Sequence, residues 1–240
     1  MKPTFTIKDV EKHYDRLVDY DDINDATPAH NWRFIDGLAM SSIRDGAHVL
    51  NLLCRSGKVE EYYHKHRNNL SFVSVDVSKR LLKVAENRFK KAGVKSKTSQ
   101  LTSLELPWKD NTFDNITSYE TLEHVPDPGK LIGEFFRVLK PGGELILSTP
   151  NTSWDWIHSL VAFLGIHHPE GPHRFIPRKE IMFLLRKAGF AITKEKTAIL
   201  VPVGPKMVRK LGNIAENLLG EPIRRYIALR RYFICRKRPR

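Results

Sequence analysis

Four polar segments follow apolar runs along this chain and carry side chains able to hold a ligand: Asn51-Leu52-Leu53-Cys54-Arg55-Ser56-Gly57, Asp76-Val77, Thr102-Ser103 and Ser118-Tyr119-Glu120. An acid at the end of a buried strand can accept two hydrogen bonds from a ribose diol, which is one role open to Asp76; the other is to cap a helix starting near Lys79. His124, a few residues beyond the last of these segments, is the candidate general base, with orienting a loop as its structural alternative. The adjacent pair His167-His168 has no carboxylate cluster beside it, so no metal site is expected.

The elements that must position these residues alternate. Residues 8–44 read as helices and loops, including a helix over 32–42 that Gly46 closes. Short apolar strands follow at His48–Leu53 and Phe72–Val75, the second ending in Asp76, with an irregular helix between them. Leu82, Ala85 and Phe89 fall on one face of a helix that Gly93 ends. A weak strand near Lys97–Leu101 precedes a strand at Phe113–Ser118, then a helix over 129–139 with Leu131, Phe135 and Val138 inward. Pro141-Gly142-Gly143 suits a type II turn into the strand Glu144–Ser148. Strands alternating with amphipathic helices predict an α/β fold with a parallel, doubly wound sheet, in which ligands bind beyond the carboxyl ends of the strands.

A chain of 240 residues with 41% hydrophobic content can bury one core, so a single domain is expected. Two cysteines are too few for a disulfide framework, and Met1-Lys2-Pro3-Thr4 opens no signal-like apolar run, which together predict a cytoplasmic protein. The longest apolar stretch, 156–166, is about half the roughly 20 residues needed to span a bilayer. Of the net charge of +13, most lies from Lys206 onward, where eleven Lys or Arg face only Glu216 and Glu221. That basic region is either a solvated face or a surface for anionic lipid, RNA or an acidic partner.

Several motifs converge on one family. Phe113-Asp114, Leu122-Glu123-His124-Val125-Pro126-Asp127, Val138-Leu139-Lys140-Pro141-Gly142-Gly143 and Thr149-Pro150-Asn151 stand in family order. So does His173-Arg174-Phe175 with the helix that ends at Ala188-Gly189-Phe190. From Val49 to about Phe190 the chain resembles the class I S-adenosylmethionine-dependent methyltransferases, particularly the small-molecule branch of ubiquinone and menaquinone biosynthesis. The resemblance implies a seven-stranded Rossmann-like sheet and S-adenosyl-L-methionine as cofactor. It places Asn51, Cys54, Arg55, Gly57, Asp76, Val77, Thr102, Ser103 and Tyr119 at the cofactor. The family's acid and first two loop glycines are replaced by Asn51, Leu53 and Arg55, and Thr102 stands where an acid usually contacts adenine; Arg55 is then a candidate partner for the cofactor carboxylate.

The resemblance divides the chain into an N-terminal helical cap (1–45), a cofactor-binding half (46–150), a lid insertion (151–180) and C-terminal helices and strands with a basic tail (181–240). Tyr14, Tyr20, Trp154 and His173 are candidate substrate contacts, and the aromatic residues of the lid either face the pocket, which suits a flat or greasy acceptor, or pack on the body of the domain. Ser118-Tyr119-Glu120-Thr121 lacks the Asn or Asp, prolines and aromatic used to methylate base amino groups, so nucleic acid is not the expected substrate. A small-molecule or lipid-like acceptor is expected, with the basic helix before the last strand a candidate for contact with an anionic membrane. The departures in the loop leave a second reading open, a relative that keeps the fold for binding or assembly without methyl transfer.

Overall fold

The computed structural model of the chain describes residues 5–17, 20–25, 28–155, 171–202 and 206–238. The short apolar runs form β1 (His48–Leu52), β2 (Ser71–Asp76), β3 (Ser96–Gln100), β4 (Phe113–Tyr119) and β5 (Leu139–Pro150), followed by β6 (Phe190–Ala198) and β7 (Arg230–Lys237). They make a seven-stranded sheet in the order β3-β2-β1-β4-β5-β7-β6. β3 to β5 across the sheet are parallel, and β7 inserts antiparallel between β5 and β6. The chain winds outward from β1 in one direction and from β4 in the other, so the carboxyl ends of β1 and β4 flank the switch point.

The connections are the helices α1 (Ile7–Arg16), α2 (Tyr20–Asp25), α3 (Pro28–Met40), α4 (Lys58–His66), α5 (Lys79–Ala92), α6 (Pro128–Val138), α7 (Arg178–Lys187), α8 (Lys206–Leu218) and α9 (Glu221–Ile227). The α5 stripe of Leu82, Ala85 and Phe89 is buried as its spacing predicts, and Gly93, at φ +69°, closes the helix with the Val94 N–H on the Phe89 carbonyl. Its N-cap is Ser78, whose hydroxyl accepts from the Leu81 N–H, so the capping role considered for Asp76 falls to the residue two positions on. The helix after β1 is regular rather than irregular, because its buried Val59, Glu60 and Tyr63 lie on one face. In α6, Leu131, Phe135 and Val138 are fully buried beneath β4 and β5. The Pro141-Gly142-Gly143 turn bulges out of β5, Gly142 taking φ +79° while the pairing with β4 skips from Leu139 to Glu144.

Gly57, which leads into α4, adopts φ +80°, and a Cβ there would lie 2.5 Å from Phe89 of α5. Backbone and packing therefore both demand glycine. Gly57→Ala is expected to destabilise the fold by about 2–4 kcal/mol, combining left-handed strain with overpacking. Urea denaturation would read this as a lower midpoint at unchanged slope, and an unmoved midpoint would contradict the assignment.

Candidate active site

Residues 53–57 carry the chain from β1 across the end of β2, where the Cys54 N–H bonds the Val75 carbonyl at 2.9 Å. Leu53 (φ +53°), Arg55 (φ +54°) and Gly57 (φ +80°) all adopt left-handed backbone. These are the three positions at which the family resemblance implies glycine. The loop thus keeps a glycine-type path with side chains attached, at about 1–2 kcal/mol for each non-glycine residue. Asp76 helps to hold it: one carboxylate oxygen accepts the Arg55 N–H at 2.9 Å and the other accepts the Ser78 N–H at 2.9 Å.

Asp76 has no exposed surface. Burial pushes its pKa up, opposed by the charge of Arg55 and by the backbone N–H donors. The Arg55 guanidinium lies 3.9 Å from the carboxylate and stacks 3.5 Å over the ring of Tyr14 in α1. Its Nη1 is buried without a hydrogen-bond acceptor. Tyr14 Oη lies 3.4 Å from His124 Nε2, while His124 Nδ1 donates to the Pro172 carbonyl at 3.1 Å. The Nδ1 proton leaves Nε2 with a lone pair directed at the tyrosine hydroxyl. The His173 ring is 6.1 Å from that of His124, and the Tyr20 ring is 6.3 Å from that of Tyr14. One connected group therefore unites Arg55, Asp76, Tyr14, Tyr20, His124 and His173.

The N-terminal helices are strapped over this group by polar bonds. Ser78 donates to Asp15, Ser56 donates to Asp21 at 2.6 Å, and Arg88 and Lys58 pair with Asp21 at 2.7 and 3.3 Å. Gln100 donates to Glu11 at 2.9 Å.

Other candidates point elsewhere. Tyr119 enters the opposite face of the sheet and bonds Tyr63 beneath α3. Cys54 packs into the same core, and burial pushes its thiol pKa well up. Val77 is a buried core residue, whereas Thr102 and Ser103 are exposed, with the Ser103 hydroxyl spent on the backbone of Glu105. Glu120, expected on the rim, is taken by ion pairs to Arg33 and Arg230, at 3.1 and 2.5 Å. Trp154 donates its indole N–H to the Ile227 carbonyl of α9 at 2.9 Å, away from Asp76. Trp156, His158, His167 and His168, expected in a lid, lie outside the described residues. Among the described residues no cluster of His, Cys, Asp and Glu is arranged to hold a metal.

A mostly parallel sheet of this order, with one antiparallel strand inserted near its edge, defines the Rossmann-like methyltransferase class of fold. Residues 50–147 match the methyltransferase domain family. A ubiquinone biosynthesis O-methyltransferase of Pseudomonas fluorescens is 31% identical over 192 residues, which cover 75% of this chain and 78% of that protein. One from Coxiella burnetii is 34% identical over 134 residues, 54% of this chain and 56% of that protein, so the chain spans only about half the length of that relative. Among solved structures, an S-adenosylmethionine-dependent methyltransferase from Mesorhizobium loti superposes with a TM-score of 0.62 at 19% identity, covering 84% of this chain and 96% of that one. The [4+2]-cyclase SpnF superposes at 0.66 and 18% identity, covering 87% and 81%. The chain belongs to the class I S-adenosylmethionine-dependent methyltransferase family.

One polar residue near the site escaped the sequence analysis. Asn51, which stands where the family carries an acid, donates to Glu60 of α4 at 2.8 Å, and Ser74 donates to the same Glu60 oxygen. A carboxylate is thus restored beside position 51 from the next helix; an acid three residues into a helix that follows a glycine was the only signal for it. Burial raises the Glu60 pKa to about 7, opposed by the bonds from Ser74 and Asn51. The folded state then holds this proton more tightly than the unfolded chain, so Glu60 makes stability fall as pH rises from about 4.5 through about 7. Glu60→Gln, which keeps an acceptor for both donors, should gain stability relative to the parent by roughly 2–3 kcal/mol between pH 5 and pH 8. Denaturant titrations at both pH values would check this, and parallel pH profiles would refute it.

Proposed function

We propose that this chain binds S-adenosylmethionine at Asp76 and Arg55 and transfers its methyl group to a small-molecule or lipid-like acceptor. The observation that carries this reading is the retention of left-handed backbone at positions 53, 55 and 57 against a fully buried Asp76, in a chain of this family. The residue types suit the cofactor: Asp76 for the ribose diol, and the guanidinium of Arg55, whose Nη1 makes no hydrogen bond, for the carboxylate. Arg55 and Tyr14 lie across Asp76, so cofactor entry requires their stack to open.

Bound cofactor supplies an electrophilic methyl group, and the contribution of the chain is mostly positioning and exclusion of water. α1 covers the site through Tyr14, and the Nε2 lone pair of His124 serves as proton acceptor for the attacking group once the tyrosine hydroxyl withdraws. Two features support a lipid-like acceptor approached at a membrane surface. The relatives named above act, by their names, in ubiquinone biosynthesis. Along α8, Met207, Leu211, Ile214 and Leu218 are exposed at helical spacing beside the basic Lys210. No helix among the described residues is long and apolar enough to cross a membrane. A cytoplasmic location, peripheral at such a surface, belongs to the same reading.

The closed Arg55–Tyr14 stack also favours a second reading, binding or assembly without methyl transfer. Calorimetric titration with S-adenosylmethionine and S-adenosylhomocysteine separates the two. Under the first, the parent binds, Asp76→Ala loses binding, and Arg55→Gly binds at least tenfold more weakly, because the cation that meets the cofactor carboxylate is removed. If the parent does not bind at millimolar ligand, methyl transfer fails and the second reading stands.

A further inference from the structure

A second buried cation lies far from Arg55 in sequence and has no carboxylate of its own. Arg231 of β7 is only 6% exposed and stands between Thr149 of β5 and Thr197 of β6, its cross-strand neighbours. These three side chains share the face of the sheet covered by α7 and α9. Arg231 Nη2 donates to Asn151 Oδ1, but Nε and Nη1 have no partner. The Thr149 hydroxyl, also fully buried, has none either.

The nearby acids are already engaged. Arg178 grips Glu195 through Nε and Nη2, at 2.5 and 2.6 Å. Arg225 lies 3.8 Å from Glu195 and 3.7 Å from Glu221, while Arg224 reaches Glu221 at 3.1 Å. Glu221 also accepts from the Thr197 hydroxyl at 2.8 Å, and Nε of both Arg224 and Arg225 is buried without a hydrogen bond. Three guanidinium groups thus share two carboxylates, and Arg231 is left over. Burial lowers its pKa to about 10, and the charge of Arg178 adds to the effect. A desolvated guanidinium with free donors and no counter-ion is unfavourable unless an anion completes it. Asn151 immediately follows β5, so the cluster sits at the carboxyl edge of the sheet, where ligands enter this fold.

We propose that Arg231 and Thr149 form the floor of an oxyanion site that takes a phosphate group, with Arg178 and Arg225 supplying the surrounding positive field. Free donors on Arg231 Nε, Arg231 Nη1 and Thr149 Oγ1 suit the several acceptor oxygens of a phosphate, and the surplus positive charge suits its negative charge. The site uses none of Asp76, Arg55 or His124, so it stands or falls apart from methyl transfer. The phosphate belongs either to a soluble phosphoester or to a lipid headgroup.

The test is the melting temperature of the full chain titrated with inorganic phosphate, with ionic strength held constant by chloride. The parent should be stabilised saturably, by several degrees at tenfold or more above half-saturation. Arg231→Gln should abolish the shift while melting no lower than the parent in phosphate-free buffer, since it removes an uncompensated buried charge. Thr149→Val, which leaves every arginine in place, should weaken half-saturation at least several-fold. No shift in the parent, or equal shifts in the parent and both variants, would overturn the proposal. Flotation with vesicles of phosphatidic acid in phosphatidylcholine then identifies the source. Flotation that inorganic phosphate displaces and Arg231→Gln prevents assigns a lipid headgroup. A phosphate-dependent melting shift without flotation assigns a soluble phosphoester.

Discussion

The burial of Asp76 is the constraint on which the candidate active site depends. A carboxylate removed from water must be met by hydrogen-bond donors or cations, and here they come from the loop it holds: the Arg55 N–H, the Ser78 N–H and the Arg55 guanidinium. Those bonds explain how Leu53 and Arg55 persist in backbone conformations that disfavour a Cβ. They also explain why α1 lies where it does, since the guanidinium drawn towards Asp76 offers its face to Tyr14, and Tyr14 in turn reaches His124. One buried charge thereby organises residues from four separate parts of the chain.

The sheet supplies the frame but not the chemistry. Its fold is shared with a methyltransferase and with a cyclase alike, so activity has to be argued from the site. At that site the loop holds left-handed backbone at positions 53, 55 and 57, although two of the three carry side chains. Glu60 places a carboxyl group beside Asn51 from the next helix, and Arg55 brings a cation whose Nη1 faces Asp76 at 3.9 Å without a hydrogen bond. The opposite face follows a different logic, in which Glu120 is saturated by Arg33 and Arg230 and Tyr119 is locked to Tyr63. Those residues stiffen the end of β4 against α3 and α4 rather than line the Asp76 group.

Much of the architecture was legible in the chain itself. Apolar runs, the α5 stripe of Leu82, Ala85 and Phe89, the stop at Gly93 and the Pro141-Gly142-Gly143 turn are local patterns whose physics needs only neighbours in sequence. The motifs from Phe113 to Asn151 carried the family, and Asp76 was identifiable as the acid ending a strand. Less visible were the partners. Ser78 rather than Asp76 caps α5, Tyr119 turns away from the site, Glu60 carried only its place near a helix start as a signal, and Arg231 carried none.

The amino-acid sequence by itself determined the order of elements, the family and the place of the strand-end acid, because periodicity and turn chemistry act over a few residues. Tertiary structure alone decided which charges meet. Arg55 is 21 residues from Asp76 in the chain, Tyr14 is 110 from His124, and Arg231 is 80 from Asn151. Their pairing is set by sheet register and by the removal of water, and burial, which turns an ordinary arginine or glutamate into a group that requires a partner, is a property of the folded whole.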